Sequence, residues 1–357
     1  MKKRSGFTMI ELLISVSTLA VIVLLVTQLL NSAAVTTLHC GKLMDSDSQA
    51  RMIFAQMAED FMAMYQRADL NYYFKSQTGN DAFYFYSQKP GHIASQDPAG
   101  TGDSSLNTSS LVGYRVSDAI SGGNRVELER LGRGLHWVDV ASQSGADGHA
   151  TSILHLPLLI KDTFSQAIAD TYNNSSNPNP GGSATAAQQW DVIGDQVLRM
   201  EFCFLLTDGT LSLTPVVNGT TVNNLTATAA PNSSADSTAG YAIGSRWYDT
   251  NSQIAYACTD ATAGEAVWAP LGLQDVKAIV VTIALIDSKS RASTTVGALI
   301  RAISGLPDAS TELLKDASLT KPWAAKAKAP ATFVSSYGLS HAAASSIRVY
   351  ERFFYLK

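Results

Sequence analysis

The sequence predicts an α+β protein in which one long N-terminal helix carries a β-rich head. Three observations lead there. No proline interrupts the chain from Phe7 to Leu70. Apolar residues fill the first half of that run and recur at three- and four-residue steps in the second, the spacing of an amphipathic helix. Beyond Asn71 the chain turns to short runs rich in β-branched and aromatic residues, set off by Gly, Asn, Asp and Ser, as in strands joined by turns.

The helix divides into two halves. From Leu12 to Gly41 there is no Asp, Glu, Lys or Arg. Phe7 to Leu30 would make about 36 Å of helix at ~1.5 Å per residue, enough to cross a hydrocarbon core of ~30 Å. Lys2, Lys3 and Arg4 hold its start on the cytoplasmic side, because basic residues stay on that face. A secretory signal would place a small-residue cleavage site after the apolar run, and no A-x-A site follows Val26. The anomaly is Glu11, since a carboxylate at bilayer depth costs roughly 2.5–3.5 kcal/mol on insertion scales and is kept for function. In the second half, Met52, Phe54, Met57, Phe61, Met64 and Tyr65 form a face expected to pack beneath the head. Arg51, Glu59, Asp60 and Arg67 fall on the side expected to be solvated. Gly41 is the one place where the helix could soften.

In the head, Ala82–Ser87, Leu111–Ser117, Arg125–Leu131 and Ser152–Ile160 read as strands. Gln196–Leu206 and Leu211–Val217 form a hairpin around Asp208-Gly209, a strong turn signal. Val276–Ile286 reads as a buried strand and Ile347–Leu356 as a closing one, with helix expected at Val296–Ser304 and Ser310–Ala317. Asn173–Gln188 and Asn218–Ala242 are linkers by composition. The segment after the second linker, with Trp247, Tyr248, Tyr256 and Trp268 around small turns, is similar to a β-hairpin module of phage tail-fibre and surface proteins. It separates strands that would otherwise be consecutive, so residues 218–271 are expected to be a dispensable insertion whose Trp247, Tyr248 and Trp268 could bind a surface glycan or protein ligand.

With 357 residues, net charge −4 and pI ≈ 5.9, the chain is not a nucleic-acid binder, as no basic block follows the leader. Six histidines, at positions 39, 92, 136, 149, 155 and 341, form no HExxH pair. His136, beside Trp137, can be imagined with Asp139 as an acid–base couple, and the serines form no G-x-S-x-G elbow. No cofactor and no metal site is expected, since Asp45, Asp47, Asp103 and Asp208 keep no calcium-loop register. Cys40, Cys203 and Cys258 permit at most one intramolecular disulfide, and Cys203 with Cys258 is the favoured pair.

Gly6-Phe7-Thr8-Met9-Ile10-Glu11 resembles the class III leader of type IV pilins and type II secretion pseudopilins. The resemblance implies that a prepilin peptidase cuts after Gly6, that Phe7 becomes the N-methylated first residue, and that Glu11 is the assembly carboxylate. It divides the chain into a leader (1–6), a transmembrane and stem helix (7–70) and a head (71–357). The run from Asp191 to Leu211 is similar to the central hairpin of large minor pilins. ADLNYYFKSQTGNDAFYFYS, LVGYRV and VELERLGRGLHW resemble the Verru_Chthon cassette protein C family of Verrucomicrobia. The implied protein is a non-enzymatic filament subunit with other pilins as partners. It would be anchored once in the inner membrane with its head outside the cytoplasm. The alternatives are a surface-displayed adhesin on a pilin helix and a membrane-anchored envelope enzyme.

Overall fold

The computed structural model describes residues 8–68, 70, 72–91, 109–117, 126–134, 190–219, 221–314 and 318–356. Helix α1 (Met9–Met62) is continuous through Gly41. Its first half is exposed, and from Ser46 onward one side is buried against the head. It ends eight residues before Leu70. There the backbone is claimed by a strand of the head: Tyr65 N donates to Tyr86 O at 2.9 Å and Gln88 N to Ala63 O at 2.8 Å. Tertiary pairing thus overrides a helical pattern that continues in the sequence.

Two antiparallel sheets sandwich the end of this stem. One runs in the order β1 (Tyr73–Lys75), β2 (Ala82–Ser87), β3 (Ser110–Ser117), β4 (Glu127–Gly134) and β5 (Trp190–Gly194). The other runs β13 (Arg348–Tyr355), β12 (Val276–Leu285), β6 (Val197–Leu206) and β7 (Leu211–Ser212). β12 is central and almost wholly buried, which explains its unbroken apolar run; a strand covered on both faces loses its alternation. β7 is far shorter than the Leu211–Val217 expected. Thr214 N turns back onto Ser212 Oγ at 3.0 Å, Pro215 supplies no N–H, and Val217 N leaves the sheet for Asp275 Oδ2 at 3.1 Å. The strand expected at Ser152–Ile160 and the linker at Asn173–Gln188 lie outside the described residues.

Helices α2 (Ser288–Ala292), α3 (Val296–Ile303), α4 (Thr311–Leu314), α5 (Thr320–Ala327), α6 (Pro330–Tyr337) and α7 (His341–Ser346) fill the path from β12 to β13. Of these, α3 and α4 match expected helices, whereas the other four were not foreseen. Their punctuation is present: Pro330 at the first turn of α6, Gly338 beyond its end at φ 75°, and Ser340 capping α7 through Ala343 N, as helix ends prefer.

A single cluster of buried side chains joins stem, sheets and helices. At its centre the Phe61 ring lies 5.4 Å from Phe83, 5.1 Å from Phe85 and 4.9 Å from Phe354. One stem residue therefore touches both sheets. The stem face differs from expectation in two places. Met52 is 56% exposed, outside the packed face. Asp60, expected in solvent, is fully buried. Its carboxylate accepts from Arg130 at 2.6 and 2.9 Å and from the Tyr114 hydroxyl, and lies 3.1 Å from Lys89 Nζ. Burial pushes the Asp60 carboxyl up, but the hydrogen bond and charge of Arg130, with Tyr114 and Lys89, outweigh it and hold it below the usual range.

A carboxyl depressed in the fold contributes stability above its unfolded value, lost as pH falls through its folded one. Asp60→Asn is therefore expected to destabilise the head by about 3 kcal/mol at pH 7, since it leaves two cations facing a neutral amide. It should also flatten the acid limb of the stability curve below about pH 4. Denaturant unfolding across pH checks both; an acid limb as steep as wild type would remove this role from Asp60.

Candidate functional site

The N-terminal segment is built from its cap outward. Thr8 is the N-cap of α1, and Glu11 stands at the third helical position. Thr8 N and Oγ1 each lie 3.4 Å from Glu11 Oε2, and Glu11 N donates to Thr8 Oγ1 at 3.4 Å. This is a capping box, and Thr8-x-x-Glu11 is its sequence signature. Within one chain, then, Glu11 closes its own helix end, loosely and in the open. The side chains of Met9, Ile10, Leu12, Leu13 and Ile14 beside it are all exposed. Gly6 and Phe7 lie outside the described residues. The Met9–Met62 helix is long and apolar enough to cross a membrane.

The segment expected as linker plus hairpin forms a four-stranded sheet in the order β11 (Val267–Pro270), β10 (Ile254–Asp260), β9 (Arg246–Asp249) and β8 (Asn224–Ala227). The Asn218–Ala242 stretch is not a free linker. It supplies β8, which pairs with β9 in parallel, and its later turns wrap the sheet. Trp247 and Trp268 come together with Tyr241, ring centroids 5.5–5.8 Å apart. Both indole N–H groups point back at that wrap: Trp247 Nε1 donates to Ala229 O at 2.8 Å and Trp268 Nε1 to Ala235 O at 3.0 Å. The donors a ligand would use are spent inside the module, leaving only half-buried ring faces.

Tyr248 lies apart from them. Neighbouring strand residues face opposite ways, so Tyr248 is buried with Val216, Ala255 and Leu271, where the module meets the head. The join is strengthened by Arg246, which donates to both Asp275 oxygens at 2.7 and 3.1 Å, and by Gln253 Oε1, which accepts from Phe74 N at 3.1 Å. Beside the Gln253 link, Tyr72, Phe74, Tyr248 and Leu273 line a crevice with room for about one water. The expected dispensable excursion is thus docked on the head.

The Cys203–Cys258 disulfide is not formed. Both thiols are free and buried, and Cys40 is free and exposed. Cys203 sits among Val280, Ala309, Leu314 and Leu319 on β6, whereas the Cys258 thiol donates to Asp260 O at 3.2 Å inside the module. The cluster around Cys203 does not include Cys258. Burial, then the nearby carboxylates Glu351, Glu201 and Asp81, pushes the Cys203 thiol well up, away from the reactive thiolate.

A second group of buried acids was missed in the sequence because its members sit far apart along the chain. Glu201 accepts from Arg199 at 2.7 Å and from Ala309 N at 3.0 Å, and Arg199 also holds Asp308 and donates to Ile303 O at 2.7 Å. Asp81 accepts from Gln77 N and Phe202 N at 3.0 and 3.2 Å. Burial first, and the charge of Glu201 second, raise the Asp81 carboxyl well above its usual range. No described pocket is lined by these residues, so the group ties the β1–β2 loop, β6 and the loop before α4 together. Among the described residues no three His, Cys, Asp or Glu are gathered to hold a metal ion. Of the histidines, 92, 136, 149 and 155 lie outside the described residues.

Protein-family models, curated proteins and solved structures yield no match to this chain.

Thiol counting checks the cysteine assignment. In the folded protein only Cys40 should alkylate, and in denaturant all three thiols should react without prior reduction. Two thiols that stay blocked until a reductant is added would restore the disulfide. Separately, Trp268→Phe removes one indole hydrogen bond and should lower module stability by about 1 kcal/mol, read by thermal unfolding.

Proposed function

We propose that the chain is a non-enzymatic structural subunit, a minor pilin or pseudopilin, of a type IV pilus-like or type II secretion-like filament. One observation carries the reading: the exposed, charge-free first half of α1 bears a single carboxylate, Glu11, four residues after a phenylalanine preceded by glycine. A prepilin peptidase cutting after Gly6 would leave a cationic amine on Phe7. Glu11, held in one chain only by 3.4 Å contacts to Thr8, can exchange that weak cap for the Phe7 amine of an adjacent subunit. In a low-dielectric helix bundle such a pair relieves the expense of a lone charge. The membrane, and then the helices of other subunits, cover the apolar residues that the head leaves bare. The head follows on the far side of the inner membrane, fixed to the stem by Phe61 and Asp60. Display of a glycan or protein ligand by the module is the lesser reading, resting on the ring faces of Trp247 and Trp268 alone.

Gly6→Val should yield a full-length, uncut protein, because a branched side chain does not fit a subsite that takes glycine; mass spectrometry of the membrane fraction decides it. Glu11→Leu should insert and be cut normally yet enter sheared filaments several-fold less than wild type, with Glu11→Asp between them. Equal filament incorporation of Glu11→Leu and wild type would remove the assembly role from this residue.

A further inference from the structure

The cleft where stem and head part company carries unspent charge. It is lined by Val35, Lys42 and Leu43 of α1 and by Ala342, Ser345, Ser346 and Arg348 of α7 and β13. Arg348 is held in place, as its Nη1 donates to Ser345 O at 3.0 Å and Ile347 O at 2.8 Å. Yet among the described residues no carboxylate pairs with it within 4 Å. Lys42 is half committed: its Nζ lies 3.5 Å from Asp287 and 3.2 Å from Ser290 Oγ, and its side chain keeps 32% exposure. Two cations, one of them positioned but not neutralised, thus border a cleft whose stem wall is partly apolar. That is the chemistry of a phosphate attached to hydrocarbon, where an arginine fork meets the phosphate oxygens.

The position along the stem selects the source of that phosphate. Glu11 and Lys42 bracket the charge-free stretch and stand about 46 Å apart at ~1.5 Å per residue. A bilayer with both headgroup layers measures ~40–45 Å. Before assembly Glu11 rests among the cytoplasmic headgroups, and it moves to bilayer depth only as the subunit is drawn into a bundle. The unassembled subunit therefore brings Lys42, and with it Arg348, to the opposite headgroup layer. We propose that the Lys42–Arg348 cleft binds the phosphate of an outer-leaflet phospholipid and seats the head on the membrane before assembly. The proposal rests on the membrane-spanning reading of α1. Extraction into a filament would have to break this contact, so the cleft holds subunits in the membrane until they are pulled out.

Cys40 reports on the cleft from two residues below Lys42, as the one exposed thiol. The full chain is reconstituted in phosphatidylethanolamine/phosphatidylglycerol vesicles and in galactolipid vesicles that lack phosphate, and Cys40 alkylation by a polar maleimide is timed. We expect alkylation about fivefold slower in the phospholipid, the effect of one basic side chain at a lipid surface. Arg348→Gln should abolish the difference and Arg348→Lys should keep part of it. Equal rates in the two lipids, or a difference that survives Arg348→Gln, overturn the proposal. Slowing by inorganic phosphate in maltoside micelles to the same degree would assign the site to free phosphate and overturn the lipid source. Protease protection of the N-terminal fragment reads the spanning helix independently, so a chain that inserts but shows no lipid difference defeats this inference alone.

Discussion

The fold hangs on the burial of one end of one helix. Phe61 enters a space where two sheets converge, and its ring meets β2 on one side and β13 on the other. Aromatic pairs of this kind contribute ~0.5–1.5 kcal/mol each beyond the area they bury. The residue before it, Asp60, carries a charge into the same interior and is met there by Arg130, Tyr114 and Lys89 from the surrounding segments. Greasy contact gives this joint its strength. The ion cluster gives it a register, because a turn of the helix in either direction would leave a buried carboxylate facing apolar rings.

The two buried acid groups respond to protons in opposite senses. Asp60 has cations enough to stay ionised. Asp81 has two backbone N–H donors but a second acid, Glu201, across from it, with Arg199 already shared between Glu201 and Asp308. A carboxyl raised in the fold favours the native state while protonated, and that advantage fades as pH climbs past its unfolded value. One corner of the head is thus tightened by ionisation and another loosened by it, which keeps the fold at its best between the two regimes.

Much of this was legible from residues alone. The bounds of β2, β12 and α3, and the turn at Asp208-Gly209, follow from period and punctuation, because each has local causes. Thr8-x-x-Glu11 is likewise the local signature of the capping box that closes α1. What could not be read is what depends on distant partners. Asp60 falls on the polar side of the helical wheel, and nothing nearby in sequence announces Arg130. The Asn/Thr/Ala-rich stretch before Tyr241 has the composition of a linker, yet two tryptophans further along hold its carbonyls in place. Cys203 and Cys258 are the favoured pair by sequence, yet the strands carrying them pack into different clusters. Gly6 and Phe7 stand on sequence alone.

The continuity of α1 has a mechanical meaning. It is 54 residues long without a break, about 81 Å at ~1.5 Å per residue, and its grip on the head is spread from Ser46 to Phe61 along its length. A pull on the amino end runs parallel to that grip. It loads Ile53, Met57, Phe61 and the Asp60 ion cluster together in shear, where they resist as a group, rather than peeling them apart one after another. The protein is therefore strong along the axis of its stem and weaker across it, like a dowel glued into a block.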